Sequence, residues 1–167
     1  MKLYFLRHTT AADIASNDAS RALTAVGQEE ARRAGTGLAM LGATPSVILA
    51  SPLLRARQTA EIAARAMGFA GAIGTLDELA SESTTADLIR ALKPHATSKE
   101  ILLVGHMPSL AGHVATLIGV ESAEEYSFGK GSVACVELDE LRAGAGRLLW
   151  QKRLEQLREM KRQTRSL

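Results

Sequence analysis

Apolar and polar positions along this chain follow two periods. Short apolar runs at residues 2–6, 47–50 and 101–104, each flanked by polar, charged or glycine residues, have the pattern of strands buried on both faces of a sheet. A further short run at 73–76 predicts a third strand in chain order. Between these runs, apolar residues recur at helical spacing over residues 25–41, 52–67, 85–92 and 108–118. Punctuation agrees with these limits. Thr24 is placed to cap the first helix and Gly42 to stop it. Ser51-Pro52 predicts an N-cap followed by proline at the first helical position, and Gly68 closes that helix. The 85–92 helix ends before Pro94. Residues 132–138 (Ser-Val-Ala-Cys-Val-Glu-Leu) alternate, predicting a half-buried antiparallel or edge strand, with residues 147–150 as its hairpin partner. Residues 9–22 are small and polar and read as a loop.

Strands alternating with helices predict an α/β fold, a three-layer α/β/α sandwich with a mostly parallel central sheet. Right-handed crossovers then bring the strand C-termini to one edge, where such sheets bind ligands. The length of 167 residues predicts one domain, residues 1–153, followed by a tail at 154–167. That tail is basic and helically patterned. Leu154, Leu157 and Met160 form a stripe that reads as packing for a terminal helix, with docking to an acidic partner as the sharper alternative.

Composition narrows the function classes. Twenty basic against eighteen acidic residues is too even a balance for nucleic acid binding by bulk charge. Cys135 is the only cysteine, so no intrachain disulfide forms, and its apolar setting reads as core rather than as a catalytic thiol. The first apolar run ends in a charge after a few residues and lacks the form of a signal peptide. No stretch has the length of a membrane span. The expectation is a cytoplasmic protein that binds neither membrane nor nucleic acid.

Chemistry gathers at three predicted strand ends. Arg7-His8 follows the first strand, Arg55 lies in the first turn of the helix after the second, and Gly105-His106 follows the 101–104 strand. If the strands are parallel neighbours, these motifs converge. Two guanidinium forks and a helix N-terminus suit the oxygens of a phosphoryl group. Of two imidazoles, one can attack phosphorus through a neutral ring nitrogen, and the other, if protonated, can donate to the phosphoryl oxygens. A single histidine after a strand is more often structural, but that reading weakens when three such motifs share one edge.

Leu6-Arg7-His8, the stretch from Ser51 to Thr59 (Ser-Pro-Leu-Leu-Arg-Ala-Arg-Gln-Thr) and Val104-Gly105-His106 resemble the histidine phosphatase superfamily, with its phosphoglycerate-mutase-like fold. The resemblance runs from Met1 to about Trp150. Together with the loop at residues 16–24, it looks most like the short SixA-type phosphohistidine phosphatases. It implies that His8 is the phosphorylated nucleophile and that Arg7, Arg55 and His106 hold the phosphoryl group. Arg21 matches a loop arginine facing the same pocket. No metal and no organic cofactor is implied.

Two departures stand out. Thr9 replaces the glycine usual after the first histidine, so it either tolerates the same backbone or offers its hydroxyl to the phosphate. Glu78, in Leu76-Asp77-Glu78-Leu79, occupies the place of a general acid in larger relatives. A phosphoramidate nitrogen leaves with less help than an alcohol, so Glu78 is either that acid or a solvated loop carboxylate. His95 and His113 read as structural. Three functions follow: a phosphatase of protein phosphohistidine, a phosphatase of a small phosphate ester or nucleotide, or a silent phospho-ligand module. The partner is accordingly a phosphorylated protein or a small phosphorylated substrate.

Overall fold

The structure is a computed structural model and describes residues 1–80 and 82–157. Its strands are β1 (Lys2–Arg7), β2 (Val47–Ala50), β3 (Ile73–Thr75), β4 (Glu100–Gly105), β5 (Val133–Leu138) and β6 (Gly146–Lys152). Its helices are α1 (Ala25–Met40), α2 (Leu54–Met67), α3 (Thr85–Leu92) and α4 (Ser109–Ile118). The strands form one sheet in the order β3-β2-β4-β1-β5-β6. Pairing is parallel from β3 through β1 and antiparallel across β5 and β6.

Period-two alternation splits the core between two faces. Tyr4, Leu6, Ile48, Leu102 and Val104 pack against α1 and α2. Leu3, Phe5, Leu49, Ile101 and Leu103 pack against α3 and α4. The result is the three-layer α/β/α sandwich expected from the sequence. β5 is antiparallel and pairs with β6 as expected, but it differs from expectation in burial and position. It lies between β1 and β6, and all its residues but Glu137 are buried, so the half-buried edge role falls to β6. Helices cover both sheet faces at β5, with Cys135 on the α1 side and Val136 on the α4 side.

Thr24 caps α1 as expected, its hydroxyl accepting the Gly27 N–H at 3.0 Å. The predicted cap at Ser51 is corrected. α2 begins at Leu54 and has no side-chain N-cap bond. Ser51 instead prolongs the sheet, donating its N–H to the Val104 carbonyl at 2.9 Å while its side chain turns inward. The apolar stripe of the tail is seated as far as it is described, with Leu154 and Leu157 buried in the core layer of α1. Met160 and the rest of the tail lie outside the described residues. Among the described residues, no helix is long and apolar enough to cross a membrane.

Small residues let α1 and α2 approach closely. A Cβ on Gly35 would stand 2.4 Å from the Ala63 carbonyl oxygen, whereas one on Gly112 in α4 would meet nothing within 4 Å. Gly35→Ala should therefore destabilise the fold by about 1–3 kcal/mol through overpacking. Gly112→Ala should stabilise it by about 0.5–1 kcal/mol by removing a helical glycine. Urea denaturation midpoints of the two variants, moving in opposite directions from wild type, check this pair.

Candidate active site

The ends of β1, β2 and β4 are joined by main-chain bonds beyond the strands themselves. The His8 N–H donates to the Gly105 carbonyl at 3.0 Å, one step past the β1–β4 ladder. The Ser51 N–H does the same toward β4. These bonds bring Arg7, His8, Ser51, Arg55 and His106 to one edge of the sheet. The rings of His8 and His106 lie 4.9 Å apart, tilted by 49°. His8, Arg55 and His106 are all buried.

Each imidazole is held in one tautomer. His8 Nδ1 is 2.8 Å from the Thr9 carbonyl oxygen. That oxygen only accepts, so Nδ1 carries the hydrogen and Nε2 keeps its lone pair. His106 Nε2 is 2.8 Å from Ser51 Oγ, which also accepts the Leu53 N–H at 3.3 Å. Among the described residues the Ser51 hydroxyl hydrogen has no other acceptor, so it points toward Nε2, and the ring hydrogen of a neutral His106 then falls on Nδ1. Nδ1 of His106 and Nε of Arg7, like Nε2 of His113 in α4, are buried with no hydrogen-bond partner among the described residues.

Burial, reinforced by Arg55, Arg7 and Lys130, pushes the His8 pKa down to about 4 against a weaker lift from the Thr9 carbonyl. Burial, then the charges of His8 and Arg55, push His106 down to about 3, and only Asp18 works against them. Both rings are neutral near pH 7. In the free protein His106 is therefore neutral; the protonated form considered from the sequence requires a phosphoryl dianion beside the ring.

The arginines are held from outside. Arg55 donates through one terminal nitrogen to the Asp18 carbonyl at 2.8 Å and through the other to the Asp18 carboxylate at 3.0 Å. The same carboxylate takes a bond from Arg21 at 3.2 Å, and Arg21 Nε donates to the Ala12 carbonyl at 2.7 Å. Arg21 therefore adjoins Arg55 through a shared counter-ion. Arg7 donates to the Phe128 carbonyl at 3.0 Å.

Thr9 takes the first of its two sequence-derived alternatives. It is fully buried, and its hydroxyl donates to the Gly27 carbonyl at 2.8 Å, while its N–H donates to Thr59 Oγ1 at 3.2 Å. Its hydroxyl is thus not offered to a phosphate. Glu78 is half-buried in a 3₁₀ turn, Asp77–Leu79, which packs on the end of β4. A Cβ on Gly105 would stand 2.9 Å from the Leu79 carbonyl oxygen, so the turn closes tightly beside His106. His113 is buried in α4 with Nδ1 3.0 Å from Thr85 Oγ1, and His95 lies in a 3₁₀ turn after α3.

Sequence reasoning missed Asp18 and Lys130 and took Ser51 mainly for a cap. A carboxylate in a polar loop carries no signal of its partner. The hydrogen-bond requirement of a buried histidine was the one available pointer to Ser51.

An α/β sheet presenting two neutral histidines among arginines at its carboxyl edge defines a phosphoryl-handling site. The model of the histidine phosphatase superfamily (branch 1) matches residues 3–81. The chain is 30% identical over 154 residues to the phosphohistidine phosphatase SixA of Escherichia coli K12, covering 90% of this chain and 92% of that one. It is 36% identical over 138 residues to an uncharacterised protein of Picosynechococcus, covering 78% of this chain and 75% of that one. The solved structure of the protein histidine phosphatase SixA complexed with tungstate superposes with a TM-score of 0.86 at 28% identity, covering 94% of this chain and 99% of that one. The chain belongs to the histidine phosphatase superfamily, within it is SixA-like, and it is a phosphatase of the histidine phosphatase class.

The depressed histidines give a pH dependence of stability. Unfolded, both rings titrate near 6.5; folded, they titrate near 4 and 3. As pH falls below 6.5 the unfolded chain takes up protons that the folded chain refuses, so stability is lost on acidification. Burial lowers His113 in the same direction. The melting temperature should fall between pH 7.5 and 4.5. Millimolar sulfate, a dianion that favours the protonated rings, should restore more stability at pH 5 than at pH 7.5. Equal sulfate effects at both pH values would contradict this coupling.

Proposed function

We propose that this phosphatase removes phosphoryl groups from phosphohistidine on a protein, through a covalent phosphohistidine at His8. The observation that carries the mechanism is the bond from His8 Nδ1 to the Thr9 carbonyl, which leaves the Nε2 lone pair of a neutral ring free among cations. Nε2 attacks phosphorus, the bond from phosphorus to the substrate's nitrogen breaks, and the departing imidazole takes up a proton. Water then attacks the phosphoryl group on His8, the P–Nε2 bond breaks, and inorganic phosphate leaves. Arg7 and Arg55 hold the equatorial oxygens, with Arg21 behind them, and His106 donates from Nδ1 as charge moves onto those oxygens.

Two features support a protein substrate. The relative with this coverage, SixA, is named a phosphohistidine phosphatase. At the candidate edge, residues 51–53, 76–84 and 106–108 are short connections, and the longer ones, 8–24 and 119–132, each carry no helix beyond a 3₁₀ turn. None of these has the length of a capping domain, so a side chain on a protein surface can approach.

His8→Ala should lower turnover at least about 1000-fold, and an acid-labile, base-stable phosphoryl label should be trapped on wild type but not on this variant. Retained turnover would sink the mechanism.

A second reading, hydrolysis of a small phosphate ester, is favoured by the placement of the Glu78 turn against Gly105. An ester's alkoxide needs a proton. If Glu78 supplies it, Glu78→Gln should lower ester hydrolysis about 10- to 100-fold and leave phosphohistidine turnover within about twofold. Steady-state kinetics on both substrate classes measure the split, and an equal change on both would remove Glu78 from the acid role.

A further inference from the structure

The turn at Gly129-Lys130-Gly131 lies outside the set of residues assigned so far, yet it is fixed to the site. The Gly131 N–H donates to the Arg7 carbonyl at 3.1 Å, and the Arg7 N–H donates to the Ser132 carbonyl at 3.1 Å. The Arg7 guanidinium holds the Phe128 carbonyl at the turn's other end. Gly131 adopts φ +72°, a conformation that disfavours side chains, and a Cβ there would press on Leu154 and Thr9. The turn is therefore bolted to β1, and Lys130 projects exposed from its tip, close enough for its charge to act on His8.

The charges around it are unequally matched. Arg55 and Arg21 share the Asp18 carboxylate. Lys130 enters no ion pair among the described residues. On the other side of the same turn lies a cavity of about 420 Å³ lined by Ser127, Phe128, Gly129, Gln151, Arg153 and Gln156. Its one charged side chain, Arg153, is also exposed and enters no ion pair among the described residues. Arg153 thus lines a polar groove, Lys130 stands on the turn whose Phe128 and Gly129 line it and which is bonded to Arg7, and among the described residues the groove has no acidic lining residue.

We infer that this groove is a docking surface for an acidic segment of the substrate protein, with Lys130 and Arg153 receiving carboxylates that flank the phosphorylated side chain. The inference rests on the protein-phosphohistidine reading. Its selectivity is electrostatic and acts on substrate binding, so it is read in KM and weakens with salt.

The test uses two phosphohistidine peptides of equal length, one with glutamates on both sides of the phosphorylated residue and one with glutamines. The full-length protein should prefer the glutamate peptide by about two- to fivefold in kcat/KM for each ion pair formed, the size of an exposed pair. The preference should reside in KM and shrink at 0.5 M salt. Lys130→Gln and Arg153→Gln should each reduce it, and the double variant should abolish it. Equal rates on the two peptides in wild type, or a preference that survives in the double variant, would overturn the inference. If neither peptide is turned over while small esters are, the protein-substrate reading has failed, and the groove is tested separately. The unphosphorylated glutamate peptide should then inhibit ester hydrolysis by wild type but not by the double variant, and absence of inhibition would overturn the docking surface too.

Discussion

The hydrogen bond from the His8 N–H to the Gly105 carbonyl is the constraint on which the site depends. It carries the parallel β1–β4 pairing one residue past the strands and so fixes where the chain turns after Arg7. Gly105 serves three neighbours at once. Its carbonyl accepts from His8, its successor is His106, and its missing side chain makes room for the Leu79 carbonyl and hence for the turn bearing Glu78. A slip of one residue between β1 and β4 would reverse every side chain on β1 between the two core layers, so the same packing that builds the sandwich also fixes this register.

Electrostatics at this edge follows from burial more than from any single pair. Two imidazoles within 5 Å of each other, close to Arg7 and Arg55, resist protonation because a charge there is both desolvated and repelled. Resistance to protonation is what a nitrogen nucleophile requires near neutral pH. Asp18 tempers the crowding. Its side chain is 63% exposed while that of Arg55 is 8% exposed, so the carboxylate sits on the solvent side and holds the guanidinium from outside. Each terminal nitrogen of Arg55 gives one N–H to Asp18, and two arginines of like charge are held beside one another.

Much of the fold was legible because each layer writes its own period into the chain. The 85–92 helix and the cap at Thr24 fall where pattern and capping chemistry put them. The antiparallel pairing of β5 with β6 was legible, but its burial was misjudged, because a strand of small and medium apolar residues does not show whether one face or both are covered. The convergence of Arg7, His8, Arg55 and His106 was legible from their places after strands. What a buried hydroxyl bonds to was not. Ser51-Pro52 satisfies the local statistics of a helix start, but α2 begins only at Leu54, and the Ser51 hydroxyl bonds His106 while accepting the Leu53 N–H. Thr9 likewise gave no hint that its partner would be Gly27, eighteen residues along the chain. Asp18, Lys130 and Arg153 are polar residues in polar surroundings, and only the folded chain shows what they face.

Thr9 also makes the aim of His8 a property of the whole layer above the sheet. The carbonyl that orients the His8 ring belongs to a residue anchored by its hydroxyl to the first turn of α1 and by its N–H to Thr59 in α2. Gly27 in turn is pressed so closely on Thr10 that a methyl group would strike its carbonyl oxygen. Helix ends open locally at lower free energy than the sheet does. An opening of the first turn of α1 thus releases the tether on the nucleophile while the strands remain paired. The seating of that helix end, together with the bond to Thr59, therefore contributes to the aim of the nucleophile.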